Sequence, residues 1–162
     1  MSAANIVRMR RKSLADSQDR EEIIARIRSI RPEASRRWGK MNAHQMICHL
    51  ADSFRVTIGE KKVSPAPRAH GLKLMKWLAL QLPTPWPHGV KTRPEVDQQL
   101  GGTAPTTFDL DRDELMRLFQ RFTHQPRDFE WQPHPMFGHM ADAEWMRWGY
   151  LHTDHHLRQF GM

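Results

Sequence analysis

One cysteine, Cys48, occurs in 162 residues. No internal disulfide can form, so the fold must be held by its core, and the composition suits a reducing, cytoplasmic setting. Long apolar runs are missing as well. The longest, Trp77–Leu82, is broken by Gln81 and falls far short of the roughly 20 residues that a membrane span requires. No apolar stretch follows the basic N-terminus, so no secretory signal is expected. Strand-like alternation is absent and no internal repeat is visible. Acidic residues are in the minority, 18 against 25 Lys and Arg, for a net charge of +7. Such a charge attracts anions but says nothing about fold. Arg8, Arg10, Arg11 and Lys12 read as a solvated basic tail. No nucleic-acid-binding motif accompanies them, so nucleic acid is not expected as a partner.

What is present suits one helical domain. The chain is long enough to bury a core, and 39% apolar with 27% charged residues describes a globular body with a wet surface. Residues 1–15 are expected to form a flexible basic arm and residues 16–162 the domain.

The first helix should begin near Asp16–Asp19, with Asp19 and Glu22 as a capping box. It should present Ile23, Ile24, Ile27 and Ile30 on one face and stop before Pro32. A second should be capped by Asn42 with Gln45 as its reciprocal partner and should fade near Gly59. Its inner face would carry Met46, His49, Leu50, Ser53 and Phe54. Residues 60–107 hold seven of the 11 prolines. They read as a crossover strap, with a lid or pocket wall as the alternative. Inside them Gly71–Leu82 could be a short helix with Leu72, Met75, Leu78 or Ala79, and Leu82 on one face. A further long helix is expected from Asp111 as cap, with Glu114 completing the box and Leu110 and Leu115 as staple. A last one should run from about Asp142 to Phe160. Four long helices and one long crossover predict an all-α four-helix bundle.

The chemistry gathers at WMRWGYLHTDHHLRQF, Trp145–Phe160. On a helix, at about 100° per residue, His152 and His156 lie about 40° apart and one turn along the axis. Trp145, Trp148 and Gln159 share their stripe. Imidazoles four apart can bind one metal ion from the same side. His49, pointing inward from the second helix, could meet them in the core, and the expected site is His49, His152 and His156. Three neutral imidazoles suit zinc, nickel, copper or iron better than magnesium or calcium. Three protein ligands leave a position open, the catalytic arrangement. A metal there could activate water, polarise a substrate oxygen or hold a thiolate.

Rivals exist at each position. His155 lies about 60° from the His152 direction and could support a ligand or face solvent. His44 and Cys48 are also four apart and could bind a metal by themselves. Gln159 could orient a ligand or touch substrate. Asp52, one turn after His49, could accept its second N–H. His70, His88, His124, His134 and His139 are placed in loops or at helix ends, as surface or rim residues.

NAHQMICHLADSF and HTDHHLRQF resemble the DinB/YfiT-like superfamily. WGKM at Trp38–Met41 and HPMFGHM…EWMRWGYLH are similar to an uncharacterised bacterial subgroup of it. The resemblance covers roughly residues 17–160. It implies an up-down-down-up four-helix bundle, often a homodimer, and a divalent metal on three histidines. Position by position these are His49, His152 and His156. It also implies chemistry with a small-molecule substrate, by thiol-dependent transferases and isomerases that use a low-molecular-weight thiol, or by metal-dependent hydrolases. The usual ending is closer to HHRGQ. Here Leu157 and Arg158 replace Arg-Gly, so Arg158 is not carried over as a functional residue.

The expected function is therefore a metal-dependent S-transferase or hydrolase, with zinc or nickel ahead of iron or manganese as cofactor. The alternative is a non-catalytic metal-binding or stress-response protein. A nucleic-acid binder, motivated only by charge, comes third.

Overall fold

The first two helix starts in this chain are set by short polar side chains, Asp16 and Asn42, that turn back on the backbone. The computed structural model describes residues 10–66, 72–82 and 84–162. Among the described residues there are five α-helices, one short 3₁₀ turn and no strand. α1 spans Ser17–Ser29, α2 Ala43–Ile58, α3 Leu72–Gln81, α4 Phe108–Thr123 and α5 Asp142–Gln159. The 3₁₀ turn is Pro94–Val96. The main packing pairs are α2 with α4, α1 with α5 and α3 with α5.

The α2 start is as expected. Asn42 Oδ1 accepts the Gln45 N–H at 2.8 Å, and Gln45 Oε1 accepts the Asn42 N–H at 3.0 Å. Gly59 ends the helix at φ 87°, with its N–H turned back on the Arg55 and Val56 carbonyls. That left-handed conformation suits glycine. Between these caps α2 is buried on more than the expected face. Met46, Leu50 and Phe54 are joined by Ile47, Cys48, Ala51 and Asp52, because α4 covers one side and the crossover another.

Two starts differ from the sequence expectation. Asp16, not Asp19, caps α1, accepting the Gln18 and Asp19 N–H groups at 2.9 and 3.2 Å. Asp19 instead turns inward, 2% exposed, and accepts the Ser13 N–H and an Arg10 N–H, each at 2.8 Å. α4 begins one turn early, with Thr107 at its cap position and no side-chain cap bond. Asp111 lies inside the first turn and ties back the preceding loop by accepting the Thr106 N–H at 2.7 Å and its hydroxyl at 3.1 Å. Leu110 is exposed, so no staple with Leu115 forms.

The basic arm is also corrected in part. Residues 1–9 lie outside the described residues. From Arg10 the chain is tied down: Leu14 is fully buried and its N–H donates to the Met146 carbonyl at 3.1 Å. Gly149 makes that approach possible. A Cβ there would lie 2.8 Å from both Leu14 Cδ1 and Phe122 Cε1.

In the crossover, α3 turns an unexpected residue inward. Leu80 is buried, whereas Leu78 and Leu82 are exposed, as are Leu74 and Trp77. Gly71 and the Leu72 side chain lie outside the described residues. Lys76 pairs with Glu144 at 2.9 Å, which fixes α3 against α5. Both flanks of the crossover are fastened to α2 through Asp52. Its carboxylate accepts from Lys61 Nζ at 2.6 Å, the Thr103 hydroxyl at 2.6 Å and the Thr103 N–H at 2.8 Å. The crossover is therefore a wall of the core as well as a connection. The loop between α4 and α5 adds Phe129, Trp131 and Phe137 to the core's edge. No helix among the described residues is long and apolar enough to cross a membrane.

Candidate metal centre

His49 on α2 meets His152 and His156 on α5. Ring centroids lie 5.4 Å apart for His49–His152, 4.7 Å for His49–His156 and 4.8 Å for His152–His156. One nitrogen of each ring lies within 4.8 Å of the others. The sequence-predicted trio is thus brought together, and a metal ion could be held between its rings.

Each ring is positioned by a different device. His49 Nδ1 donates to the Val96 carbonyl at 2.8 Å, so its Nε2 is left for the centre. This acceptor comes from the 3₁₀ turn in the crossover, not from Asp52 as expected. Asp52 is occupied by Lys61 and Thr103. Burial raises its pKa, but those hydrogen bonds more than offset the effect and leave it below the usual value. His156 Nδ1 donates to Gln159 Oε1 at 3.1 Å, and Gln159 Nε2 donates in turn to the Trp38 carbonyl at 2.9 Å. Gln159 therefore orients a candidate ligand. Gly39 gives it room: its φ is +83°, and a Cβ there would fall 2.0 Å from Gln159 Nε2. His152 lies flat on Trp148, centroids 4.8 Å apart and planes 15° apart. Its Nδ1 is buried without a hydrogen-bond partner.

The electrostatics favour neutral rings. Burial pushes the His49 pKa below its ordinary value. Burial, reinforced by the neighbouring imidazoles, pushes His152 and His156 well below theirs. Neutral imidazoles with a free ring nitrogen are what a transition-metal ion binds, so these residues fit the expected group.

Around the trio lies an aromatic rim that sequence patterning identified only in part. His155 sits beside His156 with centroids 5.2 Å apart and its Nδ1 unpartnered. Burial, then Arg158 and His88, lower its pKa to about 4. His88 stacks on Trp38 at 4.1 Å, a rim position as expected. Trp86, from the crossover, lies 6.1 Å from His152 and 6.3 Å from His155. No helical period marks Trp86 or Val96, and only chain folding brings them here. Arg158 pairs with Asp154 at 2.8 Å.

Residues 9–161 match a family model described as "Protein of unknown function (DUF1569)". The chain belongs to this family. No curated protein and no solved structure matches it.

The remaining histidines of this DUF1569 chain divide. His124 and His139 are exposed, as expected, and His70 lies outside the described residues. His134, expected at the surface or rim, is half-buried, stacks on Phe137 at 4.4 Å and lies 5.5 Å from Trp148. Burial lowers its pKa to about 3. His44 turns to α4, away from the trio, and contacts Asp111 at 2.7 Å. A recess of about 130 Å³ lined by Leu14, Arg20, Thr123 and Arg127 lies by the start of α5, about 15 Å along that helix from His152.

Proposed function

We propose that His49, His152 and His156 hold a divalent metal ion, zinc or nickel ahead of iron or manganese. In this reading the protein is a metal-dependent enzyme acting on a small molecule, as a thiol-dependent S-transferase or a hydrolase. The observation that carries it is the convergence of three imidazoles, His49 and His156 buried and His152 half-buried, with the Nδ1 of the two buried rings engaged so that their Nε2 is left for a metal. A divalent ion bound there supplies an open coordination position and Lewis acidity.

The chain's own residues do the positioning. The Val96 carbonyl and Gln159 hold two rings in one orientation, which keeps the donor set preorganised. Trp148 supports the third. Trp86 and the Trp38–His88 stack limit water at the rim and offer flat apolar surface to a substrate. His155 Nδ1 is a free polar contact for it. In this reading α1, α2, α4 and α5 form an up-down-down-up bundle of the DinB/YfiT type, and the sequence resemblance, rather than the packing, adds a homodimer and a low-molecular-weight thiol as co-substrate.

Metal content of untagged protein, measured by elemental mass spectrometry beside His49→Ala, His152→Ala and His156→Ala, tests the site. About one ion lost in all three variants supports it. No ion in the wild type after reconstitution with zinc, nickel, iron and manganese refutes both the site and the enzyme. A panel of thiols with electrophiles and of esters then tests turnover. A metal-loaded protein inert across it would favour the second reading, a non-catalytic metal-binding protein, for which the close aromatic cover over the rings speaks.

A further inference from the structure

A second group of potential ligands lies on a different face of α2. His44 and Cys48, four residues apart, share a stripe that faces the first turn of α4, where Asp111 stands. One donor atom from each of the three lies within 4.8 Å of the others. His44 contacts Asp111 at 2.7 Å, and these two side chains are 20% and 19% exposed. Cys48 beneath them is 3% exposed. The group is thus closed on its inner side and open to water on its outer side. Phe108, with its ring 5.3 Å from His44, walls one flank.

We propose that His44, Cys48 and Asp111 form a second, zinc-type metal site, a clamp between the start of α2 and the start of α4 that is independent of the histidine trio. One imidazole, one thiolate and one carboxylate are a donor set for zinc, and the sulfur selects against magnesium and calcium. The three residues leave a fourth position for water. Binding releases the Cys48 thiol proton to solvent and replaces the His44–Asp111 hydrogen bond, the proton on His44 Nε2 passing to Nδ1 or to solvent, while the carboxylate keeps its bonds from Thr106. The clamp has a structural purpose. α4 lacks a side-chain cap at Thr107, so its first turn depends on Asp111, and a metal would anchor that turn directly to α2.

Cobalt(II) titration of the metal-free full chain separates the two sites, because a thiolate ligand gives near-ultraviolet charge-transfer absorption that three imidazoles cannot give. Two equivalents are expected, one of them with the thiolate band. Cys48→Ser and His44→Ala should each lose the band and one equivalent while keeping the wild-type circular dichroism. His49→Ala and His156→Ala should keep the band. No thiolate band at any cobalt ratio in folded wild-type protein would overturn the proposal. So would a band that disappears in folded His49→Ala, since Cys48 would then serve the trio. A band at a single equivalent, unaffected by His49→Ala, would uphold the clamp while refuting the trio.

Discussion

The two halves of α5 are buried about equally but are built from opposite materials. The first half places Trp145, Trp148 and Gly149 against Phe122, Trp131 and Leu14. The second half, one turn further, buries His156, Thr153 and Gln159 and packs His152 on Trp148. An apolar side chain stabilises by leaving water, whereas a buried polar one costs free energy unless it finds a partner. Of these groups His156 and Gln159 have partners, while the Thr153 hydroxyl and His152 Nδ1 have none. The first half is thus largely apolar where it is buried, and the second sets buried polar groups beside the core residue Leu157.

The comparison can be broken most directly at Trp145, which is 1% exposed. Trp145→Ala should destabilise the protein by about 3–5 kcal/mol, measured by urea denaturation. A loss no larger than that of His156→Ala would erase the contrast between the halves. Next comes Gln159→Leu, which leaves His156 Nδ1 without its acceptor. Metal affinity should fall about 10- to 100-fold in competition titrations with a chelator, and metal-free stability by about 1–3 kcal/mol, because the Trp38 carbonyl loses its donor as well. Unchanged affinity would mean that Gln159 serves only the Trp38 carbonyl.

Acid sharpens the contrast from the side of His134. Its folded pKa is lowered to about 3, against an unfolded value near 6.5. Unfolding therefore takes up a proton across this window. The stabilisation is complete above about pH 6.5 and is lost as pH falls towards 3, at about 1.4 kcal/mol per pH unit for one group. Denaturation of the metal-free protein as a function of pH should show that slope reduced by one group's share in His134→Asn. An identical slope would mean that His134 protonates without unfolding.

The smallest effect is expected from His156→Ala in metal-free protein. Alanine is the better helix former, and the change removes a desolvated imidazole. Helicity by circular dichroism should stay at the wild-type level, with stability within about 1 kcal/mol. A large loss of helicity would make His156 a packing residue.

Much of this was written in the sequence. Asn42 with Gln45, Gly59, and the spacing of Ile23 with Ile27 act over one or two turns, where local hydrogen bonding and period decide the outcome. The same holds for His152 and His156, because four residues on a helix put two side chains on one side whatever surrounds them. The all-helical class and the trio could therefore be read before any coordinates. Competition among several plausible local partners could not. Asp16 took the cap expected of Asp19, Asp111 turned to Thr106 and His44 instead of starting α4, and Leu80 displaced Leu78 and Leu82 as the buried residue of α3. Each outcome depends on which neighbour arrives from elsewhere in the chain. So does the surrounding of the trio. The Val96 carbonyl, Trp86 and the Trp38–His88 stack come from loops with no period to betray them, and Asp52 was drawn away by Thr103, fifty-one residues distant. Short-range periodicity placed the three imidazoles on their helices. Only the assembly of the α2–α4 and α1–α5 pairs, with the crossover touching both α2 and α5, decided that they meet and what holds each ring.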